Sequence, residues 1–276
     1  QIRENDIVVA QFPVYPKLYR YLLKTLRRKH TNIILFITDI DGLKDGDDLL
    51  LKKEIRFLKH FSRFIVHNGN MAGWLLKHVP AANFSTLGPF DFLAPVNQRQ
   101  PSSDITINFS GNLSKSPFLE KTGDLQPLQF YVYGPGLTEN MKNQPNLHWM
   151  GILDPKVLPN IILGKFGLIW DGDDFTPEGG SVGRYMSYVN HHKLSLYILS
   201  GLPVIAPESS GSAGFISEMN IGWLIRDLHE LPAIIPTITE EDYLTKRQNL
   251  LKIAENVATG RHLASALENL LNSSVY

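Results

Sequence analysis

The feature that most constrains this chain is the alternation of short apolar runs with segments of helical periodicity along nearly its whole length. Such alternation predicts strands joined by crossover helices, the pattern of a mostly parallel α/β sheet. The predicted strands are Asp6–Phe12, Asn32–Thr38, Arg63–His67, Phe84–Leu87, Ile105–Phe109, Gln129–Tyr133, Leu147–Met150, Gly167–Trp170, Pro203–Ala206 and Gly222–Arg226. The predicted helices are Lys17–Lys29, Leu49–His60, Asn70–His78, Pro155–Leu163, Tyr185–Ser200, Gly214–Met219, Glu240–Ala258 and His262–Leu271.

A polar, proline-containing stretch interrupts this alternation at Ala94–Asp104 and predicts a linker. We therefore expect two Rossmann-like, doubly wound domains, the first at residues 1–96 and the second at residues 104–259. The last helix, within residues 260–276, is expected to pack back on the first domain. Because ligands bind at the carboxyl ends of parallel strands, a binding cleft is expected between the two domains.

Composition excludes several classes of protein. The 27 basic and 27 acidic residues balance, so no global field favours nucleic acid, and the lack of cysteine excludes disulfides and thiolate chemistry. No apolar run reaches the roughly 18 residues that span a bilayer. The first residues show no signal-peptide pattern, so we expect a cytoplasmic protein. The basic clusters Lys24–His30 and Lys52–Lys59 leave contact with the cytoplasmic face of an anionic membrane open. A homo-oligomer is also open.

Two loops could bind an anion. The first, Ser110–Ser116, follows a strand; its Gly111 lets the backbone approach a ligand, and Lys115 adds a positive charge. The second, Pro207–Gly214, is rich in small residues and opens a helix, so its amides could cradle a diphosphate. Lys193, on the helix predicted before that loop, is placed to neutralise the same phosphates. Ordinary capped turns are the alternative interpretation of both loops.

Two Asp-x-Asp pairs also follow strands, Asp171 with Asp173 and Asp39 with Asp41. Carboxylates so spaced could hold a divalent metal ion, although a solvated acidic turn is the commoner meaning of this pattern. Signatures of other nucleotide sites are missing. The sequence has no P-loop, and Gly134-Pro135-Gly136 lacks the third glycine of a dinucleotide fingerprint.

The chain resembles a family of bacterial glycosyltransferases that includes β-1,6-galactofuranosyltransferases and the accessory glucosyltransferases that modify serine-rich adhesins. The resemblance covers nearly the whole chain and is carried by the blocks Phe64–Asn68, Gly111–Ser116, Phe166–Gly172, His192–Tyr197 and Gly201–Ile205. It implies a GT-B fold of two Rossmann-like domains, with a UDP-sugar bound mainly by the second domain and the acceptor by the first. Against this family, the first domain is expected to be shortened by one strand–helix–strand unit.

The resemblance also implies the residues of the donor site. Lys115 and Lys193 would contact the phosphates, Gly111 and Asn112 would line the cleft, and Ser212, Ala213 and Gly214 would supply amides. Cationic groups and helix amides would then replace a metal ion at the leaving diphosphate, so no metal or other cofactor is expected. The loop that contains Asp171 would be structural or would face the sugar.

We therefore expect a UDP-sugar-dependent hexosyltransferase that passes glucose or galactofuranose to a glycan, a lipid-linked sugar or a glycoprotein. Asp39 or Asp41, at the end of a predicted strand, is the candidate base if the enzyme inverts. Two alternatives are kept. One is a non-catalytic, glycosyltransferase-like partner subunit, since Thr38 departs from the family pattern and the first domain is expected to be short. The other is a single-domain, metal-dependent GT-A enzyme.

Overall fold

The computed structural model describes residues 2–3, 6–28, 32–97, 105–177 and 180–272. They fall into two compact units: unit 1 within Gln1–Gly88 and Leu263–Tyr276, and unit 2 within Pro89–His262. Residues 94–97 of the predicted linker belong to unit 2. The rest of the predicted linker, residues 98–104, lies outside the described residues. The donor and acceptor roles of the two domains, and the cleft between them, stay predictions.

Unit 1 is built on a four-stranded parallel sheet with the order β1-β2-β3-β4. Its helices begin at side-chain caps where the sequence supplies them: the carboxylate of Asp47 accepts hydrogen bonds from Leu49 and Leu50, and Asn68 caps the fourth helix in the same way. The elements are β1 (Ile7–Phe12), α1 (Lys17–Arg28), β2 (Asn32–Ile37), α2 (Asp41–Lys44), α3 (Asp48–Leu58), β3 (Arg63–Val66), α4 (Gly69–His78) and β4 (Asn83–Thr86).

Unit 2 contains a six-stranded parallel sheet with the order β10-β9-β8-β5-β6-β7. The chain adds strands in one direction from β5 to β7 and then returns to add β8, β9 and β10 in the other direction. The strand order therefore reverses between β5 and β8. The elements are β5 (Thr106–Ser110), β6 (Gln129–Tyr133), α5 (Glu139–Lys142), β7 (Leu147–Trp149), α6 (Leu158–Ile161), β8 (Phe166–Leu168), α7 (Gly180–Tyr185), α8 (His192–Ser200), β9 (Val204–Pro207), α9 (Ala213–Glu218), β10 (Gly222–Ile225), α10 (Leu231–Ile234) and α11 (Glu240–Thr259). The last helix, α12 (Arg261–Asn272), belongs to unit 1 from Leu263 onward.

The predicted helix Tyr185–Ser200 is wrong in its first part, because α7 ends at Tyr185 and α8 begins only at His192. The chain between them is held by tertiary contacts: the Met186 carbonyl accepts a hydrogen bond from Gly211 N–H at 2.8 Å. His191 has extended backbone angles, φ −75° and ψ 142°, and therefore precedes α8 rather than lying on it. The predicted helix Pro155–Leu163 is shorter than expected, since α6 covers only four of its residues.

The chain after Gly111 forms two 3₁₀ segments, Leu113–Lys115 within the Ser110–Ser116 loop and Pro117–Leu125 directly after it. Among the described residues, no helix is both long enough and apolar enough to cross a bilayer.

Candidate functional site

A cavity of about 680 Å³ lies in unit 2, next to the point where the strand order of its sheet reverses. Its walls come from the carboxyl ends of β5 and β6, from the segment after β7, and from the start of α8. The lining includes apolar side chains as well as polar backbone and charged side chains. The lining residues are Asp91, Phe92, Ser110, Gly111, Tyr133, Gly134, Pro135, Ile152, Leu153, Pro155, Leu158, His191, His192, Lys193 and Leu196.

Helix α8 fixes this site because it is buried along almost its whole length. The Tyr197 ring lies against the backbone of Gly167, where a Cβ would come within 2.3 Å of the ring. The Tyr197 hydroxyl lies 3.0 Å from the carbonyl of Asn108, to which it can donate, and accepts a hydrogen bond from Ser110 N–H at 3.2 Å. Tyr197 therefore holds the end of β5 against α8 and places the Gly111 loop beside Lys193.

Lys193 lines the cavity, and its side chain is 13% exposed. A Cβ on Gly111 would lie 3.4 Å from Lys193 Cε, so the two predicted site residues are in contact. The ammonium donates to the Asp171 carboxylate at 2.7 Å and to the Trp170 carbonyl at 3.3 Å, and it stands 4.7 Å above the Phe109 ring. The lysine is thus held at the end of β8 rather than free on a helix surface.

Asp171 is the counter-ion of this lysine. Its side chain is 18% exposed and contacts both Lys193 and His191, the latter at 3.0 Å from Nε2. Burial by itself would raise the pKa of Asp171, but the Lys193 ammonium and the hydrogen bond from His191 hold it well below its ordinary value. The role expected from the family resemblance, a structural or sugar-facing loop, did not include this ion pair.

Two further residues of the site were missed in the sequence. Gly134 lines the cavity with a φ of +131°, and a Cβ there would lie 1.9 Å from the Gly111 carbonyl oxygen. The two loops can approach each other only because this residue has no side chain. His191 also lines the cavity, and its Nδ1 is buried with no hydrogen-bond partner in the described part of the chain.

Asn112 and Lys115 lie on the same loop as Gly111 but are not among the lining residues. Asn112 Oδ1 accepts hydrogen bonds from the Ser114 amide and hydroxyl, so this side chain shapes the loop. Lys115 is exposed. Its predicted contact with phosphate stays a prediction.

The predicted amide donors Ser212, Ala213 and Gly214 lie at the start of α9, outside the cavity lining. Ser212 is buried, and its hydroxyl is 3.4 Å from Asn190 Oδ1, next to His191. The Ala213 amide already donates to the Ser210 carbonyl, whereas Gly214 is exposed. Their contact with a diphosphate also stays a prediction.

The two candidate bases lie in unit 1, at the carboxyl end of β2. Asp39 forms an ion pair with Lys44 at 2.7 Å. Asp41 opens α2 and accepts a hydrogen bond from the Tyr15 hydroxyl at 2.9 Å. The carboxylate of the buried Glu54 accepts hydrogen bonds from the backbone amides of Asp41 and Gly42. Burial raises the pKa of Glu54 to about 7, although these two hydrogen bonds oppose the shift.

The Asp-x-Asp pair after β8 does not form a metal-ligand cluster in this structure. Both carboxylate oxygens of Asp171 are engaged, one by Lys193 and the other by His191. Across the described residues, no group of three or more histidines and carboxylates is arranged to hold a metal ion. Lys193 is the cationic side chain that the site offers to an anionic ligand.

Comparison with known proteins places this geometry in a family. The Glucosyltransferase 3-like C-terminal domain matches residues 107–270, and the Glucosyltransferase 3-like N-terminal domain matches residues 1–80. The chain belongs to the glucosyltransferase 3-like family. The family resemblance inferred from the sequence is therefore confirmed, and with it the assignment to the glycosyltransferases.

Individual relatives agree with this assignment. β-1,6-Galactofuranosyltransferase WbbI of Escherichia coli K12 is 28% identical over 280 residues, which cover 98% of this chain and 81% of WbbI. Among solved structures, TarM superposes with a TM-score of 0.65 at 17% identity, over 98% of this chain but only 55% of TarM. Anabaena HepE, solved with UDP-glucose, has a TM-score of 0.67 at 13% identity over 97% of this chain and 79% of HepE. The GT-B fold predicted for this family member is confirmed.

Proposed function

We propose that this protein transfers a hexose from a UDP-sugar to a glycan, a lipid-linked sugar or a glycoprotein, with the donor diphosphate bound beside Lys193 in the unit 2 cavity. The observation that carries the proposal is the meeting of Lys193 with the Gly111 backbone at the carboxyl edge of β5 and β8. An ammonium beside an open glycine loop is suited to a diphosphate, because the backbone lets the phosphates come close while the charge neutralises them.

In this proposal the protein's own groups stabilise the departing diphosphate. Lys193 would supply the charge, and the carboxyl ends of parallel strands would supply the crevice in which the nucleotide lies. The apolar wall, which includes Ile152, Leu153 and Leu158, would accommodate the less polar parts of the donor. No metal ion is needed for this arrangement, and the occupation of Asp171 by Lys193 and His191 supports that expectation.

Glucose and galactofuranose are the proposed sugars. The family is named for a glucosyltransferase, WbbI is named a galactofuranosyltransferase, and HepE has been solved with UDP-glucose. Asp39 or Asp41 would serve as the acceptor base in an inverting reaction, since both follow β2 at its carboxyl end. A retaining reaction would need neither.

The test is a transfer assay on the full chain with a panel of UDP-hexoses, including UDP-glucose and UDP-galactofuranose, and a library of glycan and lipid-linked acceptors. Release of UDP together with a mass increase of one hexose on the acceptor supports the proposal. Binding of UDP-sugars with no transfer to any acceptor would favour the second candidate, a non-catalytic partner subunit. The ion pair that already occupies Asp39 is the observation that keeps this candidate in view.

Peripheral contact with an anionic membrane is a further part of the proposal. Helix α1 carries no acidic residue, and its Leu18 and Tyr21 are 79% and 66% exposed. The same helix carries five basic residues: Lys17, Arg20, Lys24, Arg27 and Arg28. Exposed apolar groups among basic ones suit an anionic lipid surface. Co-sedimentation with phosphatidylglycerol vesicles but not with phosphatidylcholine vesicles is expected, and loss of it in a Leu18→Ser/Tyr21→Ser variant would locate the contact.

A further inference from the structure

The Asp171 carboxylate has two partners in unit 2, and they differ in kind. Lys193 Nζ lies 2.7 Å from Oδ1 and carries a fixed positive charge. His191 Nε2 lies 3.0 Å from Oδ2, and a histidine changes its charge near neutral pH. Because Asp171 is largely buried, it must keep a cationic partner to stay ionised at low cost.

A bound diphosphate would compete with Asp171 for the Lys193 ammonium. Two of its three ammonium hydrogens are directed at Asp171 and the Trp170 carbonyl. A diphosphate seated against Gly111 would draw the ammonium towards itself, since the Gly111 backbone is in contact with the end of this side chain. Any turn of Lys193 towards the phosphates weakens its pairing with Asp171.

His191 is placed to compensate for that loss. Its ring lines the same cavity, one nitrogen is already at hydrogen-bond distance from Asp171, and Nδ1 is buried without a partner among the described residues. The contacts to the Asp171 carboxylate in the described part of the chain come from Lys193 and His191. The other titratable groups that face the cavity are Asp91, from the segment before β5, Tyr133 at the end of β6, and His192 on α8.

We propose that His191 takes up a proton from solvent on Nδ1 when the donor diphosphate binds, while Nε2–H keeps donating to Asp171, so that Asp171 keeps a cationic partner while Lys193 turns to the phosphates. Asp171 and His191 are then positioning residues: they act on the donor through Lys193. This inference rests on the proposed function, since it requires a diphosphate in the unit 2 cavity. Because binding takes up a proton, the affinity for the diphosphate should fall as pH rises.

The test is calorimetric titration of the full chain with UDP near neutral pH, in two buffers of different ionisation heat, which gives the number of protons taken up on binding. His191→Gln keeps a donor for Asp171 but cannot change charge. The matched control is His148→Gln, because His148 is exposed on β7 and is not among the cavity-lining residues. The titration of UDP itself contributes alike for all three proteins, so it cancels in their comparison.

We expect proton uptake to be lower in His191→Gln than in the unmodified protein, by a difference approaching one proton per UDP, and unchanged in His148→Gln. The affinity of His191→Gln should also vary less with pH. Equal proton uptake in His191→Gln and the unmodified protein, with UDP bound to both, would overturn this inference and leave the proposed function standing. Failure of UDP to bind to the unmodified protein would overturn both.

Discussion

Lys193 and Asp171 form an ion pair of 2.7 Å at the carboxyl edge of the unit 2 sheet, with both side chains less than one-fifth exposed. A lysine held in this way serves two purposes. It is oriented towards the cavity before any ligand arrives, and it balances a carboxylate that burial would otherwise disfavour. In the proposed function, the same pair links the stability of unit 2 to the binding of the donor.

The first prediction concerns this pair. Lys193→Met keeps the apolar contact with Phe109 but removes the ammonium, so it should destabilise the protein by about 3 kcal/mol, the lower end for a broken buried pair, since His191 remains. The double variant Lys193→Met/Asp171→Asn should cost less than Lys193→Met alone, because no buried charge is left unbalanced. Denaturant unfolding followed by tryptophan fluorescence measures both. A double variant that costs at least the sum of the two single variants would mean that the pair is not coupled.

Gly134 gives the second prediction. Gly134→Ala would put a Cβ 1.9 Å from the Gly111 carbonyl oxygen at a backbone angle that only glycine adopts easily, so the two loops must separate. We expect the affinity for UDP to fall at least tenfold, as a displaced Gly111 loop can no longer meet the phosphates beside Lys193. Gly73→Ala is the control, since nothing lies within 4 Å of its added Cβ and alanine suits a helix. An unchanged affinity in a folded Gly134→Ala protein would remove the close approach from the account.

Asp39 gives the third prediction. If Asp39 is the acceptor base, Asp39→Asn should leave UDP affinity unchanged and lower transfer by about 10²–10⁴-fold, the usual contribution of general acid–base catalysis. The comparison is Lys44→Met, which removes the ion-pair partner of Asp39 but keeps the carboxylate. Single-turnover transfer at saturating donor separates the roles. Equal and small effects of the two variants would mean that Asp39 only holds the turn after β2.

Glu54 gives the fourth prediction, on pH and stability. Burial raises its pKa from the ordinary value of 4.5 to about 7, so the folded protein binds this proton more tightly than the unfolded chain. The resulting stabilisation is complete below about pH 4.5 and is lost as pH rises through about 7, and at about 1.4 kcal/mol per pKa unit it amounts to roughly 3 kcal/mol. Hydrogen exchange of β2 and α3 across this range measures it. Glu54→Gln should flatten the dependence, and an equal slope in both proteins would exclude Glu54 as its source.

Most strands of both sheets were predicted from the sequence to within a residue or two. The reason is local, since continuous apolar runs such as Ile33–Ile37 cannot be exposed and are too short for helices. The failure at Tyr185–Ser200 has a tertiary cause. The helical periodicity continues through this stretch, but the contact of Gly211 with Met186 holds the backbone out of the helix. Nothing in the local sequence reports that hydrogen bond.

The site was predicted in part for the same reason. Gly111 and Lys193 were identified from the residue types that phosphates require, and the structure brings them together. The pairing of Lys193 with Asp171 depends on α8 packing against β8, and the approach of Gly111 depends on β5 lying next to β8. Neither arrangement is written in any one segment of the chain. The sequence does not predict Gly134 as a site residue, because Gly134-Pro135-Gly136 lacks the third glycine of a dinucleotide fingerprint. In the structure, Gly134 lets its own loop approach the Gly111 loop.

The most direct test of the account is a calorimetric titration of the full chain with UDP in EDTA and again in excess manganese, repeated with Lys193→Met. We predict one UDP bound per chain with the same affinity in both solutions, because Lys193 supplies the charge that a metal ion would otherwise provide. In Lys193→Met the binding free energy of UDP should become less favourable by about 1.5–3 kcal/mol, the range for a hydrogen bond to a charged group. Binding that requires manganese, or a folded Lys193→Met protein with unchanged affinity, would contradict the account.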